Sequence, residues 1–157
     1  MTEITVREAD LGGADALVVG RLIGAYLLQT EHEKFVHLGG RAALLSVAQQ
    51  SEVANPRRAY ADGRVPLAEI DGVAQGVVVV RTRNAELKRF WTQPEARGRG
   101  VGARLLDAAI TLCHAPARLS VWEWRAPAIR LYESRGFARV ATWEEREGLV
   151  CMIRSSD

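Results

Sequence analysis

Cysteine is nearly absent from this chain: Cys113 and Cys151 are the only two among 157 residues. Both lie in apolar stretches, and they form no metal-ligand spacing. No metal is expected; buried free thiols in a reducing compartment are, with a disulfide between the two as the alternative. Lysine is as scarce, with Lys34 and Lys88 the sole representatives among 21 basic residues. Against 19 acidic residues the formal net charge is +2, too small to mark a nucleic-acid surface. The arginines that dominate instead suit planar recognition of phosphate or carboxylate. Long apolar runs are missing too: none approaches the roughly 20 residues that span a bilayer. Met1 to Arg7 lacks the basic-then-apolar order of a signal peptide. The expectation is a soluble, cytoplasmic protein that meets neither membrane nor nucleic acid. Its 48% hydrophobic and 25% charged residues suit a globular chain, and its length suits one domain over residues 1–157.

The apolar pattern that is present divides the chain into short elements. Ile4 to Arg7 alternates as a strand. From Ala14 to Gln29, Leu17, Val18, Leu22, Ile23, Tyr26 and Leu27 recur at helical spacing. Thr30 to Lys34 is a polar interruption, and Gly39-Gly40 breaks the chain. A second helix is expected from Arg41 to Gln50, with Leu44, Leu45 and Val47 as its apolar side. Asn55 to Arg58 reads as a loop. Strands follow at Val65–Ile70, Val73–Arg81 and Ala85–Thr92, divided by the turn signals Asp71-Gly72 and Asn84. A helix over Ala103–Ile110, a strand over Leu119–Trp124 and a helix begun by Pro127 and capped by Gly136 come next. Phe137–Trp143 and Leu149–Ile153 close the chain as a hairpin. The order β-α-α-β-β-β-α-β-α-β-β predicts an α/β (α+β) fold, a mixed sheet with helices covering its faces.

Arg97-Gly98-Arg99-Gly100-Val101-Gly102 stands at the entrance of the third helix. Glycine permits positive φ and close approach of a ligand, and a helix start offers free N–H groups and the positive end of the helix dipole. With Arg97 and Arg99 adding charge, the stretch reads as a phosphate or pyrophosphate cradle; a tight loop with solvated arginines is the alternative. A dinucleotide fingerprint fits poorly, since no acidic residue follows at the required distance. A Walker loop requires Gly-Lys-Ser/Thr where Gly102-Ala103-Arg104 stands.

From about Glu86 to Phe137 the chain resembles the GCN5-related N-acetyltransferase (GNAT) superfamily. Arg97 to Gly102 fits that family's [Arg/Gln]-x-x-Gly-x-[Gly/Ala] motif. Glu86-Leu87-Lys88-Arg89-Phe90-Trp91-Thr92-Gln93-Pro94 before it is similar to the family's fourth strand. Ala128-Ile129-Arg130-Leu131-Tyr132-Glu133-Ser134-Arg135-Gly136-Phe137 after it is similar to the family's A-I-x-L-Y-E-x-x-G-F helix. The N-terminal third matches in layout alone, and in this family that region shapes the acceptor pocket.

The resemblance implies acetyl-CoA as donor and a primary amine, on a small molecule or a protein, as acceptor. It implies that amides from Arg97 to Gly102 hold the pyrophosphate, and that Trp91 and Thr92 offer backbone groups to the pantetheine arm. Glu86 occupies the position of the glutamate base of the family's histone-acetylating branch; a solvated carboxylate pairing with Lys88 or Arg89 is the alternative. Glu31, Glu33, Glu69 and Glu123 are other candidate bases. Tyr132 matches the tyrosine that protonates the departing thiolate, with a core aromatic as the alternative. Where the family often carries an asparagine on the cofactor, Arg125 stands here, available to a phosphate, a substrate carboxylate or solvent. Tyr26, Glu31, His32, Glu33 and His37 lie in the acceptor region, where an acidic pair suits a cationic amine. Trp91, Trp122, Trp124 and Trp143 are expected to be packing residues. A CoA-binding module without turnover, transfer of a larger acyl group, and pairing into a homodimer all stay open.

Overall fold

Val77 to Val80 are buried without a break, yet they serve two separate cores. Val78 and Val80 point to one side of the sheet, Val77 and Val79 to the other, as the two-residue period of a strand requires. The computed structural model describes residues 3–40 and 44–155 and builds around this run a sheet of eight strands. These are β1 (Ile4–Glu8), β2 (Gly63–Arg64), β3 (Pro66–Ile70), β4 (Val73–Arg81), β5 (Glu86–Thr92), β6 (Arg118–Trp122), β7 (Phe137–Val140) and β8 (Leu149–Arg154). The spatial order is β1-β3-β4-β5-β6-β8-β7, with β2 paired beside β4. Every pairing is antiparallel except that of β5 with β6.

Helices α1 (Asp15–Leu38), α2 (Val47–Ala54) and α3 (Pro56–Ala59) belong to one face. There Leu22, Ile23 and Leu27 of α1 meet Leu67, Val77 and Trp91. Helices α4 (Val101–Thr111) and α5 (Ala126–Ser134) cover the other, where Leu105, Leu106, Ile129 and Tyr132 meet Val78, Leu87 and Met152. Two glycines set how closely these layers approach. A Cβ on Gly20 would strike the Val53 carbonyl, so α1 and α2 cross backbone to backbone. A Cβ on Gly76 would sit 2.8 Å from Leu105 Cδ1, so α4 lies directly on β4.

Several boundaries differ from those the sequence predicts. α1 runs through Thr30–Lys34 to Leu38. Its polar residues bond along the helix, Gln29 to Glu33 at 2.9 Å and Lys34 to Glu31 at 3.2 Å, so no break is needed. Residues 41–43 of the expected second helix lie outside the described residues. The helix itself begins at Val47, because Ser46 and Gln49 form a reciprocal capping box. Leu44 and Val47 are 88% and 83% exposed, so they are not its core side; Val53 is the residue turned inward. Asn55–Arg58 is not a loop, since the Asn55 side chain caps the short helix α3. β6 stops at Trp122 and β7 at Val140, leaving Trp124 and Trp143 beyond the strands.

Candidate active site

β5 and β6 face each other at one register position, Glu86 opposite Arg118, and then part. The cause lies in β5. Across β4, Val77 faces Trp91 while Val79 faces Lys88, so β5 carries one residue more than its partner. The extra residue bulges the strand and sharpens its twist, and Arg89 takes a left-handed φ of 54°. From Leu87 onward the edge of β5 toward β6 has no ladder partner. Arg89 is held where the bulge puts it. Its guanidinium donates to Glu52 at 2.7 and 3.0 Å, the Tyr60 hydroxyl donates to the same carboxylate, and the Tyr26 ring lies 5.8 Å away. Burial alone would raise the Glu52 carboxyl, but Arg89 and Tyr60 outweigh it and hold it below the ordinary range.

Beyond the parting lies a cleft of about 620 Å³, walled by Phe90–Thr92, the glycine loop and the start of α5. A 3-10 turn at Pro94–Ala96 accepts the Arg97 amide, and the Arg97 side chain folds back onto the Thr92 carbonyl at 3.0 Å and over the Trp91 ring at 4.7 Å. Gly98 and Gly100 have φ of 79° and 87°, and a Cβ on either would meet nothing within 4 Å. Glycine is required there by conformation, not by space. No acceptor among the described residues takes the amides of Gly98 through Gly102. Those amides and the N-terminus of α4 make an anion cradle, with Arg99 exposed beside it. The donor set and the cleft volume both fit a nucleotide thioester with a pyrophosphate.

Where β5 and β6 separate, an inner cavity of about 40 Å³ adjoins the cleft, with Phe90, Arg125 and Ala128 common to both walls. Tyr26, Lys88, Arg89, Ser120 and Tyr132 also line it. Tyr132 is 6% exposed and packs against Phe90 and Phe137, with ring centroids 5.7 Å away in each case. Its hydroxyl has no hydrogen-bond partner among the described residues. Burial first, and then nearby Tyr26, pushes its pKa up, so the phenol keeps its proton at neutral pH.

The other expected site residues are placed as follows. Trp91 and Thr92 wall the cleft together with Arg97, Gly98, Gly100, Val101 and Gly102. Glu86 lines neither cavity; it sits at the opposite end of β5, across from Arg81 and Arg118. Arg125 borders both cavities, but its Nε donates to Glu33 at 2.8 Å and its Nη2 to Thr30 at 2.7 Å. Trp124 Nε1 donates to the same Glu33 oxygen at 2.9 Å. Trp124 also stacks between Trp122 and His37, at 5.0 and 4.5 Å, so it is a wall of the cleft and not core packing. Burial would raise the Glu33 carboxyl, yet Gln29, Arg125 and Trp124 together hold it below the ordinary range. Glu31 is bonded to Lys34 and Gln49. The acidic pair of α1 is therefore committed within the protein. Sequence reasoning missed Glu52 and the bulge, although the adjacent charges of Lys88-Arg89 inside a strand were a signal that its alternation fails there.

A mixed sheet parted at its one parallel pairing, with a glycine-headed helix beside the gap, frames the cleft. The model of the acetyltransferase (GNAT) family matches residues 27–137, and the chain belongs to that family. A search of curated proteins finds no match. Among solved structures, a GNAT-family acetyltransferase from Staphylococcus aureus superimposes with a TM-score of 0.70 at 16% identity, covering 97% of this chain and 98% of its own. The paiA N-acetyltransferase from Thermoplasma acidophilum, solved with coenzyme A, gives 0.67 at 17% identity over 97% and 98%. yncA from Salmonella typhimurium, solved with its cofactor acetyl-CoA, gives 0.64 at 21% identity over 98% and 94%.

Proposed function

We propose that this protein is a cytoplasmic N-acetyltransferase that moves the acetyl group of acetyl-CoA to a primary amine by direct attack in a ternary complex. The observation that supports the reading is that three features adjoin: the cradle of unpaired amides, the cleft, and the inner cavity lined by Tyr132. Acetyl-CoA, when bound, supplies the acetyl group as a thioester open to a neutral amine. The amides from Gly98 to Gly102 hold the pyrophosphate, and the unladdered edge of β5 at Trp91 and Thr92 orients the pantetheine arm. A backbone N–H on that edge stabilises the charge that develops on the carbonyl oxygen, worth about 2.7–4 kcal/mol per donor in other acyl transfers.

An alkylammonium has a pKa near 10.4, so a proton must leave before attack at neutral pH. Glu86 lies two residues from cavity-lining Lys88 on β5 and receives that proton through water. Tyr132 gives its own proton to the departing sulfur, and the proton that the attacking nitrogen loses on becoming an amide passes through solvent to restore the phenol. Arg125 acts as a strut, not as a phosphate ligand. The test is release of free thiol from acetyl-CoA across a panel of amines, in step with acetylated product. Saturable acetyl-CoA binding with no thiol release on any amine would reject turnover and leave a CoA-binding module.

A further inference from the structure

Four carboxylates are paired with cations of the chain. Glu33 holds Arg125 at 2.8 Å, Glu52 holds Arg89 at 2.7 Å, Glu144 holds Arg146 at 3.1 Å and Glu31 holds Lys34 at 3.2 Å. Arg81 and Glu86, opposite each other in the register, add one charge of each sign. Lys88 is left over. It is half-buried, it lines the cavity with Tyr132, and among the described residues no carboxylate stands within 4.0 Å of its ammonium. Burial, then Arg89 and Arg81, pulls its pKa down against the weaker opposing pull of Glu86 and Glu52. A partly desolvated cation whose nearest carboxylates are not in direct contact with it is incompletely compensated, and a ligand that brings an anion into contact improves that balance.

We propose that the acceptor is an amine bearing a carboxylate a few bonds away, as an α-amino acid does, with the carboxylate at Lys88 and the amine facing Tyr132. This rests on the acetyl-transfer reading above. Tyr26, Phe90 and Trp122 line the same cavity and offer apolar walls for carbon beside the two polar groups. A polycationic acceptor meets the wrong sign, since the acidic residues expected to attract it are already neutralised.

The test pairs L-phenylalanine, L-leucine and L-methionine each with its decarboxylated amine. We expect the amino acid to exceed its partner in kcat/KM by tenfold or more in at least one pair, mainly through KM. Lys88→Met brings that ratio close to one, and Lys88→Arg preserves it. Equal or better turnover of the decarboxylated amines in every pair, or an unchanged ratio in Lys88→Met, overturns the proposal. Calorimetry on the CoA complex with each N-acetyl amino acid and the matching N-acetyl amine separates this from failure of the parent reading. A preference for the carboxylate that Lys88→Met erases supports the proposal even if no amine releases thiol, and in that case acetyl transfer alone falls. No such preference overturns the proposal whatever the turnover.

Discussion

Arg125 Nε donates to Glu33 Oε1 at 2.8 Å, so the residue that opens α5 is bonded to the distal half of α1. The two side chains are 17% and 21% exposed, which keeps water from replacing either partner fully. α5 carries Tyr132, so this bond fixes one wall of the cleft relative to that phenol.

Replacing Glu33 by Gln leaves the Arg125 guanidinium half-buried without a counter-charge. The expected cost is about 2 kcal/mol, the usual worth of hydrogen bonds to a charged group. Urea unfolding measures it. A Glu33→Gln/Arg125→Leu double variant regains part of the loss, because removing both charges abolishes the desolvation penalty. Strictly additive single and double effects would show that the two residues do not act as a pair.

Glu33 and Glu52 are both held below their ordinary carboxylate values. Groups depressed in the folded state contribute stability that is present above the unfolded value, near 4.3, and is lost as pH falls through the folded value. Stability is therefore flat from pH 7 to about 5 and declines below that. The Glu33→Gln/Glu52→Gln double variant should start lower and decline less steeply, as read from urea midpoints at each pH.

Tyr132→Phe keeps the ring packed between Phe90 and Phe137 and removes only the hydroxyl. The expected result is a fall in kcat of roughly 100-fold, the lower range for loss of a general acid, with the Kd for acetyl-CoA within twofold. A rate within a factor of two of the wild type removes the proton-donor role. Because burial raises the phenol, no basic limb assignable to Tyr132 should appear below pH 10.

Gly100 adopts φ 87° in open space, so Gly100→Ala tests conformation without a clash. Holding alanine there costs about 1–2 kcal/mol. Relaxation out of that conformation misaims the amides, and KM for acetyl-CoA should rise about tenfold with a smaller change in kcat. An unchanged KM would show that the cradle does not hold the donor.

Glu86→Gln tests the water-relayed base. The loss in kcat/KM should be tenfold or more at pH 7, within or below the usual range for a general base, and shrink toward pH 10, where the free amine no longer needs deprotonation. A pH-independent loss would point to a structural role beside Arg118.

The glycine loop, the strand before it and the helix bearing Tyr132 were legible because each is local. Gly98 and Gly100 are dictated by their own φ, and Pro127 and Gly136 punctuate α5 in the sequence itself. The acceptor side was not legible. Thr30–Lys34 read as an interruption because its partners, Trp124 and Arg125, lie more than ninety positions away. Glu52 is drawn in by Arg89, whose bulge depends on the register of β5 against β4. Leu44 and Val47 satisfied a helical apolar pattern that no layer of the fold covers.

With a single register pair joining β5 to β6, the sheet is two panels meeting along a seam: β1-β3-β4-β5 with β2 on one side, β6-β8-β7 on the other. Along that seam cohesion comes from side chains, not from a backbone ladder. Acetyl-CoA bound in the cleft as proposed would span both panels, so its binding free energy would resist their separation and raise the thermal midpoint of the whole protein. Without donor, amides along the open edge of β5 should exchange with solvent well before those of β4, which are zipped on both sides. The line that opens first is the one along which the cleft lies.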